Sequence, residues 1–489
     1  MAPAKHGIAL KVRSGMLWSF VESWSVQLLQ FLTFLIIARY VDAAALGIVA
    51  MALLVGQFFQ NTILAGLSTP LISAGRQDRA RDDTAFWIST GLGGALMLLM
   101  IALAGAAERW LGHPGLGRVL AWLSLVNLLA GINMLPQALL TRSLKMRPLA
   151  LRSVASTLSG AAVGIPMAIA GHGFMALVAQ NLVVALVATV ILWSAMPARP
   201  HVRFDRAKAT ELFFYGRHVS VAGLANFFNG NSDVMVVGVV LGAAAAGVYS
   251  VGKRALLAAN LLLSRAISRV ALPAFSQIKE DRRRLTAAFT RMLSATSIIT
   301  TPAFAGLALI ADEFIHLLFG ARWEGAAAVM RPLCLFGALQ AVGIYNQSIM
   351  MALGKPHWQT RLALLSALAN LSLFFMATGY GPAGVAEAFT LRAFILYPLS
   401  IWAVTRLLPL NWRDYWKAVQ LSVVASVFMA GCVIGARALL PDMHEAARLA
   451  CLVVTGVLSY GLAVALFGRS ELSMMLGFAR GRGAIGAAM

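Results

Sequence analysis

The sequence predicts an all-α integral membrane protein of about fourteen transmembrane helices, organised as two parallel six-helix repeats with two further helices at the C-terminal end. Three observations predict it: a composition too apolar for a water-facing surface, apolar segments of spanning length along the whole chain, and similarity between the two halves. Of 489 residues, 60% are apolar or aromatic and 12% charged, with a mean hydropathy of +0.78. Soluble domains run nearer one half apolar and a quarter charged. The same numbers exclude a disordered, collagen-like or disulfide-rich chain. Cys334, Cys432 and Cys451 all lie within apolar segments and read as small interior residues, with neither disulfide nor metal spacing.

A spanning helix needs about 20 residues. Apolar segments of that order fall near 14–39, 46–71, 84–107, 118–141, 150–170, 173–196, 212–240, 245–273, 287–311, 326–353, 358–378, 382–405, 415–440 and 447–467. The first follows Lys5, Lys11 and Arg13 as a signal peptide would, but its apolar run is too long for one and reads as an uncleaved first helix. With that helix entering from the cytoplasm, 28 Lys and Arg fall in cytoplasmic segments against 6 on the opposite side. That asymmetry predicts both termini inside. It also accounts for the net charge of +21, so nucleic acid is not expected as a partner.

The longest connection, 197–217, links the halves. Ala43, Ala44, Ala45 and Gly47 match Ala243, Ala244, Ala245 and Gly247 at an offset of 200. At an offset of 208, Pro148 matches Pro356 and the turn Gly171-His172-Gly173 matches Gly379-Tyr380-Gly381. Six is an even number, so both halves enter the membrane in the same sense, as a parallel repeat about an axis along the membrane normal. The expected division is 1–205, 206–410 and, for the two added helices and tail, 411–489.

Charge near the bilayer centre costs at least about 2.5–3.5 kcal/mol, so function is sought where charges lie within helices. The segment 245–273 is richest. At 100° per residue, Lys253, Asn260, Ser264 and Ser268 share one sector, and Arg254, Arg265 and Arg269 share the next. Lipid cannot solvate such a face; the plain alternative is snorkelling, strongest for Arg269. In 212–240, Asn226, Asn229 and Asp233 share a face. A tight hairpin at Gly242 would put Asp233 level with Lys253 and Arg254, as a structural ion pair or an exchangeable one. In the first half, Glu22 lies near Gln27 and Gln30, and Gln57, Asn61 and Ser68 align on one face. These amides either bond between helices or line a polar path. Arg331, Glu387 and Arg392 read as buried charges, structural or cavity-lining. Pro136, Pro166, Pro302 and Pro398 lie within helices and are expected to kink them. Trp87, Trp110, Trp193 and Trp402 fall near helix ends, as in interfacial belts. Phosphate-binding loops, paired-histidine metal motifs and an extramembrane domain to hold them are missing from the sequence, so neither an enzyme nor a cofactor is expected.

Residues 31–72, including FLIIARYVDAAALGIVAMALL, resemble the opening of the polysaccharide-exporting flippases of the multidrug/oligosaccharidyl-lipid/polysaccharide exporter superfamily. LKMRPLALRSVASTLSG (144–160), NFFNGNSDVMVVGVVLGAAAAGVYSVGKRAL (226–256), SRAISRVALPAFSQIKED (264–281) and GKPHWQTRLALLSAL (354–368) are similar too. The resemblance covers roughly 15–405. It implies two six-helix bundles facing a central cavity. It implies alternating-access export of polyprenyl-pyrophosphate-linked oligosaccharide across a bacterial inner membrane, for polysaccharide biosynthesis. Implied partners are that lipid-linked substrate, membrane lipids, a coupling ion (proton or sodium) and polymerisation and export machinery. Lys253 departs from the family, which commonly has tyrosine there. On this reading Arg254, Lys253, Arg265 and Arg269 supply cations for the pyrophosphate, and Asn226, Asn229, Gln57 and Asn61 supply polar groups for sugars. A cation-coupled small-molecule antiporter of the same superfamily is one alternative, though it would favour twelve helices and an acidic cavity. A membrane glycan polymerase or glycosyltransferase is another, though it would want a long extracytoplasmic loop.

Overall fold

The computed structural model describes residues 3–73, 78–196, 199–263, 265–440 and 443–468; the side chains of 3–21 and 261–270 lie outside that description. The described chain is helical, with no strand among the described residues. Among the described residues, the apolar segments of the sequence fall on helical backbone apart from a residue or so at their ends. Ten stretches are long and apolar enough to cross a membrane, and one of them, 356–407, contains two helices. Pro3–Tyr40, Met146–Ile169 and Ala243–Leu263 fall outside the ten. Each carries charge in its own length: Met146–Ile169 has Arg147 and Arg152, and Ala243–Leu263 has Lys253 and Arg254.

Helix starts are fixed by side-chain caps that satisfy amides lipid cannot bond. Asp78 caps Arg79–Leu111, Asp205 caps Arg206–Val236 and Asp281 caps Arg282–Leu309. Asn411 and Asp414 form a reciprocal capping box at Trp412–Leu439. Gly173 and Gly381, matched in sequence at an offset of 208, both have left-handed φ, +54° and +75°, at the start of their helices.

The chain forms two compact units, 1–250 and 251–489. In the first, Phe59, Leu67, Leu71, Phe86, Leu135 and Leu212 make a core between the stretch Ala43–Ser73 and its neighbours. Two further helical segments, Phe59–Leu64 and Val237–Leu241, are wound as π-helix, a form frequent at functional sites. Neither has a signal in the sequence.

The segments 43–47 and 243–247, matched in sequence at an offset of 200, meet directly. A Cβ on Gly47 would overlap the Ala243 carbonyl, and one on Gly247 would overlap the Ala43 carbonyl. The contact is reciprocal, as a two-fold relation requires. Asp42 caps the first segment, accepting from the Ala45 amide at 2.7 Å. At the equivalent position Gly242 turns the chain with φ +93°. Farther along the same pair of stretches, a Cβ at Gly216 would come 2.7 Å from the Gly66 carbonyl, and one at Gly223 would overlap the Asn61 carbonyl.

In the second unit, Phe275, Leu285, Phe289, Tyr345, Ile349 and Val404 form the main core. A separate cluster of Ile310, Met429, Val433 and Leu452 joins the last two helices to Arg282–Leu309. Glu313 holds them at one end, pairing with Arg437 at 2.7 Å and lying 3.8 Å from Arg448. His316 lies 2.7 Å from Glu445.

Overpacking a tight contact costs about 1–3 kcal/mol. Gly47→Ala is therefore expected to lower the thermal unfolding midpoint of the purified protein, whereas Gly91→Ala, where a Cβ meets open space, leaves it unchanged. Equal midpoints for the two variants would show that the 43–47 and 243–247 segments part freely.

Candidate functional site

The polar residues of Arg206–Val236 enter the interior progressively: Asn226 is exposed, Asn229 half-buried, and Asp233 fully buried. A buried carboxylate needs donors, because desolvation otherwise outweighs any gain from its charge. Tyr249, itself fully buried, donates its phenolic hydrogen to Asp233 Oδ2 at 2.9 Å. Tyr249 lies one turn before Lys253 and Arg254 on the same returning helix and is a partner that the sequence pattern does not single out. Lys253 and Arg254 are half-buried in Ala243–Leu263. On that helix Asn260 donates from Nδ2 to Gln340 Oε1 at 3.0 Å, tying it to Glu324–Ala352. The side chains of Arg265 and Arg269 lie outside the described residues.

In the first unit Gln57 and Asn61 are exposed, on the turns before and within the π-helical segment Phe59–Leu64. Phe58 packs edge-on against Phe227 with ring centroids 5.3 Å apart. With the approach of Gly223 to Asn61, this places the stretch bearing Gln57 and Asn61 against the one bearing Asn226. Glu22 belongs elsewhere. Its carboxylate accepts from Ser153 Oγ at 2.5 Å, and Arg152 donates to that hydroxyl at 2.9 Å and to Gln137 Oε1 at 3.0 Å. The partners of Arg152 show it turned along the helix toward an acid one hundred and thirty residues away.

The other intrahelical charges separate. Arg392 is buried, its guanidinium 4.7 Å over the Phe389 ring. Glu387, expected to be buried, is exposed, because it points away from the face on which Ala386, Ala388 and Phe389 pack. Arg331 pairs with Asp312, both about half exposed. The sequence also missed a buried network in which Asn346 donates to Ser400 at 3.1 Å and accepts from Tyr415 at 3.2 Å, with Tyr397 2.8 Å from Tyr415.

An apolar cavity of about 580 Å³ opens between Arg282–Leu309 and the last two helices, lined by residues including Pro302, Leu307, Met429, Leu452 and Tyr460. Tyr460 donates to the Ile298 carbonyl at 2.7 Å beside it.

Removing the donor to a buried acceptor costs about 1–3 kcal/mol. Tyr249→Phe is expected to lower the unfolding midpoint, and Asp233→Asn combined with Tyr249→Phe to recover part of the loss. A midpoint unchanged in Tyr249→Phe would show that this hydroxyl is not what satisfies the carboxylate.

Comparison with known proteins agrees with this architecture. A family model described as polysaccharide biosynthesis protein matches residues 36–328. The lipopolysaccharide biosynthesis protein WzxC of Escherichia coli is 25% identical over 344 residues, 70% of each chain. The teichuronic acid biosynthesis protein TuaB of Bacillus subtilis is 21% identical over 462 residues, 93% of this chain and 95% of its own. Among solved structures, the lipid II flippase MurJ in an inward closed conformation superimposes with a TM-score of 0.75 at 16% identity, covering 94% of this chain and all of that one. An inward-facing multidrug resistance transporter of the MATE family follows with a TM-score of 0.60 at 15% identity, covering 79% and 98%. At these identities the structural likeness is one of fold. The matched profile spans more than half of the chain, which belongs to the polysaccharide biosynthesis protein family.

Proposed function

We propose that this protein is a flippase that moves polyprenyl-pyrophosphate-linked oligosaccharide units across the cytoplasmic membrane for assembly of a polysaccharide. It acts by transport and not by catalysis. The observation that carries the reading is the pair of cations, Lys253 and Arg254, half-buried in a helix that lies among membrane spans. A pyrophosphate bears the charge that such a pair attracts, and guanidinium forms paired, charge-assisted hydrogen bonds to phosphate oxygens. Asn226, Asn229, Gln57 and Asn61 offer donors and acceptors to the sugars. The apolar cavity beside the last two helices suits the polyprenyl chain, which never needs to leave an apolar medium. Relatives named for lipopolysaccharide, succinoglycan and teichuronic acid biosynthesis support the substrate class.

The reading includes fourteen spans, both termini in the cytoplasm, and alternating access. On that topology the 43–47 and 243–247 contact would lie at the extracytoplasmic side and would part for the glycan to leave. A coupling ion, proton or sodium, would act at Glu22, half-buried, or Asp233, fully buried.

Arg254→Ala is expected to reduce export of a lipid-linked oligosaccharide into proteoliposomes about tenfold to a hundredfold, the worth of a hydrogen bond to a charged group. Arg254→Lys should recover only part, because the fork geometry is lost. Wild-type export by Arg254→Ala at matched protein levels would refute the binding role. Topology is tested separately in cells. A maleimide that cannot cross the membrane should label Arg109→Cys in intact cells and Arg203→Cys only after permeabilisation. Labelling of Arg203→Cys in intact cells would overturn the orientation.

A further inference from the structure

The connection 199–206 is fastened along its length to the first turns of Arg79–Leu111. The His201 amide donates to Asp83 Oδ1 at 3.0 Å, and the Trp87 indole donates to the His201 carbonyl at 3.0 Å. The Asp205 amide donates to Thr84 Oγ1 at 3.0 Å. Just beyond, the Lys208 ammonium lies 2.9 Å from Asp78. Its hydrogen bond, foremost, holds the Asp78 carboxyl below the usual carboxylate range. This clasp is therefore complete above the ordinary carboxylate pKa of about 4 and is lost only as pH falls through the lowered value.

What the strap presents outward does not suit water. Val202 is 93% exposed and Phe204 57%. Arg199, Arg203 and Arg206 alternate with them, all exposed and without an ion-pair partner among the described residues. The neighbouring acids are already engaged: Asp83 by His201, Asp78 by Lys208, and Asp205 by the amides of Ala207 and Lys208, which it caps. The strap also has a fixed depth. It joins the ends of two membrane-spanning stretches, Phe174–Ala195 and Arg206–Leu241, and leans on the start of a third. Trp87 and Trp193, both packed edge-on against Phe86, sit at the same end, where indoles favour the headgroup level.

We infer that the strap 199–206 is a preformed binding site for anionic phospholipid at the end of the helices where it lies. Arg199, Arg203 and Arg206 pair with lipid phosphates, and Val202 and Phe204 enter the acyl boundary beneath them. Cations near a membrane surface attract anionic lipid, and a strap ordered before binding loses little freedom when it engages. This inference stands on the membrane-spanning fold and is independent of the cargo.

The test is native mass spectrometry of the full-length protein titrated with phosphatidylglycerol and, in parallel, phosphatidylcholine. The variant Arg199→Gln/Arg203→Gln/Arg206→Gln should bind phosphatidylglycerol more weakly by about fivefold for each arginine removed, with phosphatidylcholine unaffected. A variant of equal charge change elsewhere, Arg283→Gln/Arg284→Gln/Arg413→Gln, should retain wild-type affinity. Phe204→Ser should weaken both lipids. None of these substitutions touches the clasp, so size-exclusion profile and melting midpoint should match the wild type. Equal phosphatidylglycerol affinity in the strap variant and the control would overturn the inference.

Discussion

The stretches 43–73 and 206–247 approach until backbone meets backbone, and much else in the first unit depends on that closeness. Lipid removes most of the hydrophobic drive between helices, leaving close packing of small residues as the means of holding them. Gly47 and Gly247 each receive the other segment's alanine carbonyl, and Gly66 and Gly216 repeat the device farther along. A side chain at any of these positions would separate the helices and take the Phe58 and Phe227 contact with them. The reciprocity of the first pair has a further meaning. Two segments that match in sequence at an offset of 200 touch one another through equivalent atoms.

That closeness also determines where polar groups can lie. Near the crossing the interior has room for a carboxylate and its phenol, Asp233 and Tyr249, and both are fully buried. Away from it the same helix exposes Asn226, and the facing stretch exposes Gln57 and Asn61. One pair of helices therefore runs from a dry, hydrogen-bonded end to an open, polar one. Such a gradient suits a protein that must close firmly at one side while offering hydrogen bonds to a large polar cargo.

Much of this was legible in the sequence, because a membrane constrains sequence more tightly than water does. Each helix had to show an apolar run, and the start of several was marked by a capping Asp or Asn, as at Asp78, Asp205, Asp281 and Asn411. The alanine-glycine match at an offset of 200 pointed to the segments that prove to touch, although self-similarity alone cannot say that two copies meet. Side-chain direction was the part that stayed hidden. Arg152 near a helix end reads as a loop cation, but the chain packs it toward Ser153 and the Glu22 site. Glu387 reads as buried from its apolar neighbours, but it occupies the opposite face. Tyr249 has no distinguishing pattern; only the return of the chain at Gly242 brings it to Asp233. The π-helical segments likewise arise from packing and leave no mark on hydropathy.

The central claim is that the contact between 43–47 and 243–247 is a gate that opens for a lipid-linked glycan. Ala44 and Ala244, both exposed, allow it to be followed directly by pulsed electron resonance between spin labels at Ala44→Cys and Ala244→Cys in the reconstituted protein. The account predicts a single short distance without cargo, and a second, longer population when polyprenyl-pyrophosphate-linked oligosaccharide is added. A distribution that stays short with cargo present, in a protein still exporting it, would contradict the account.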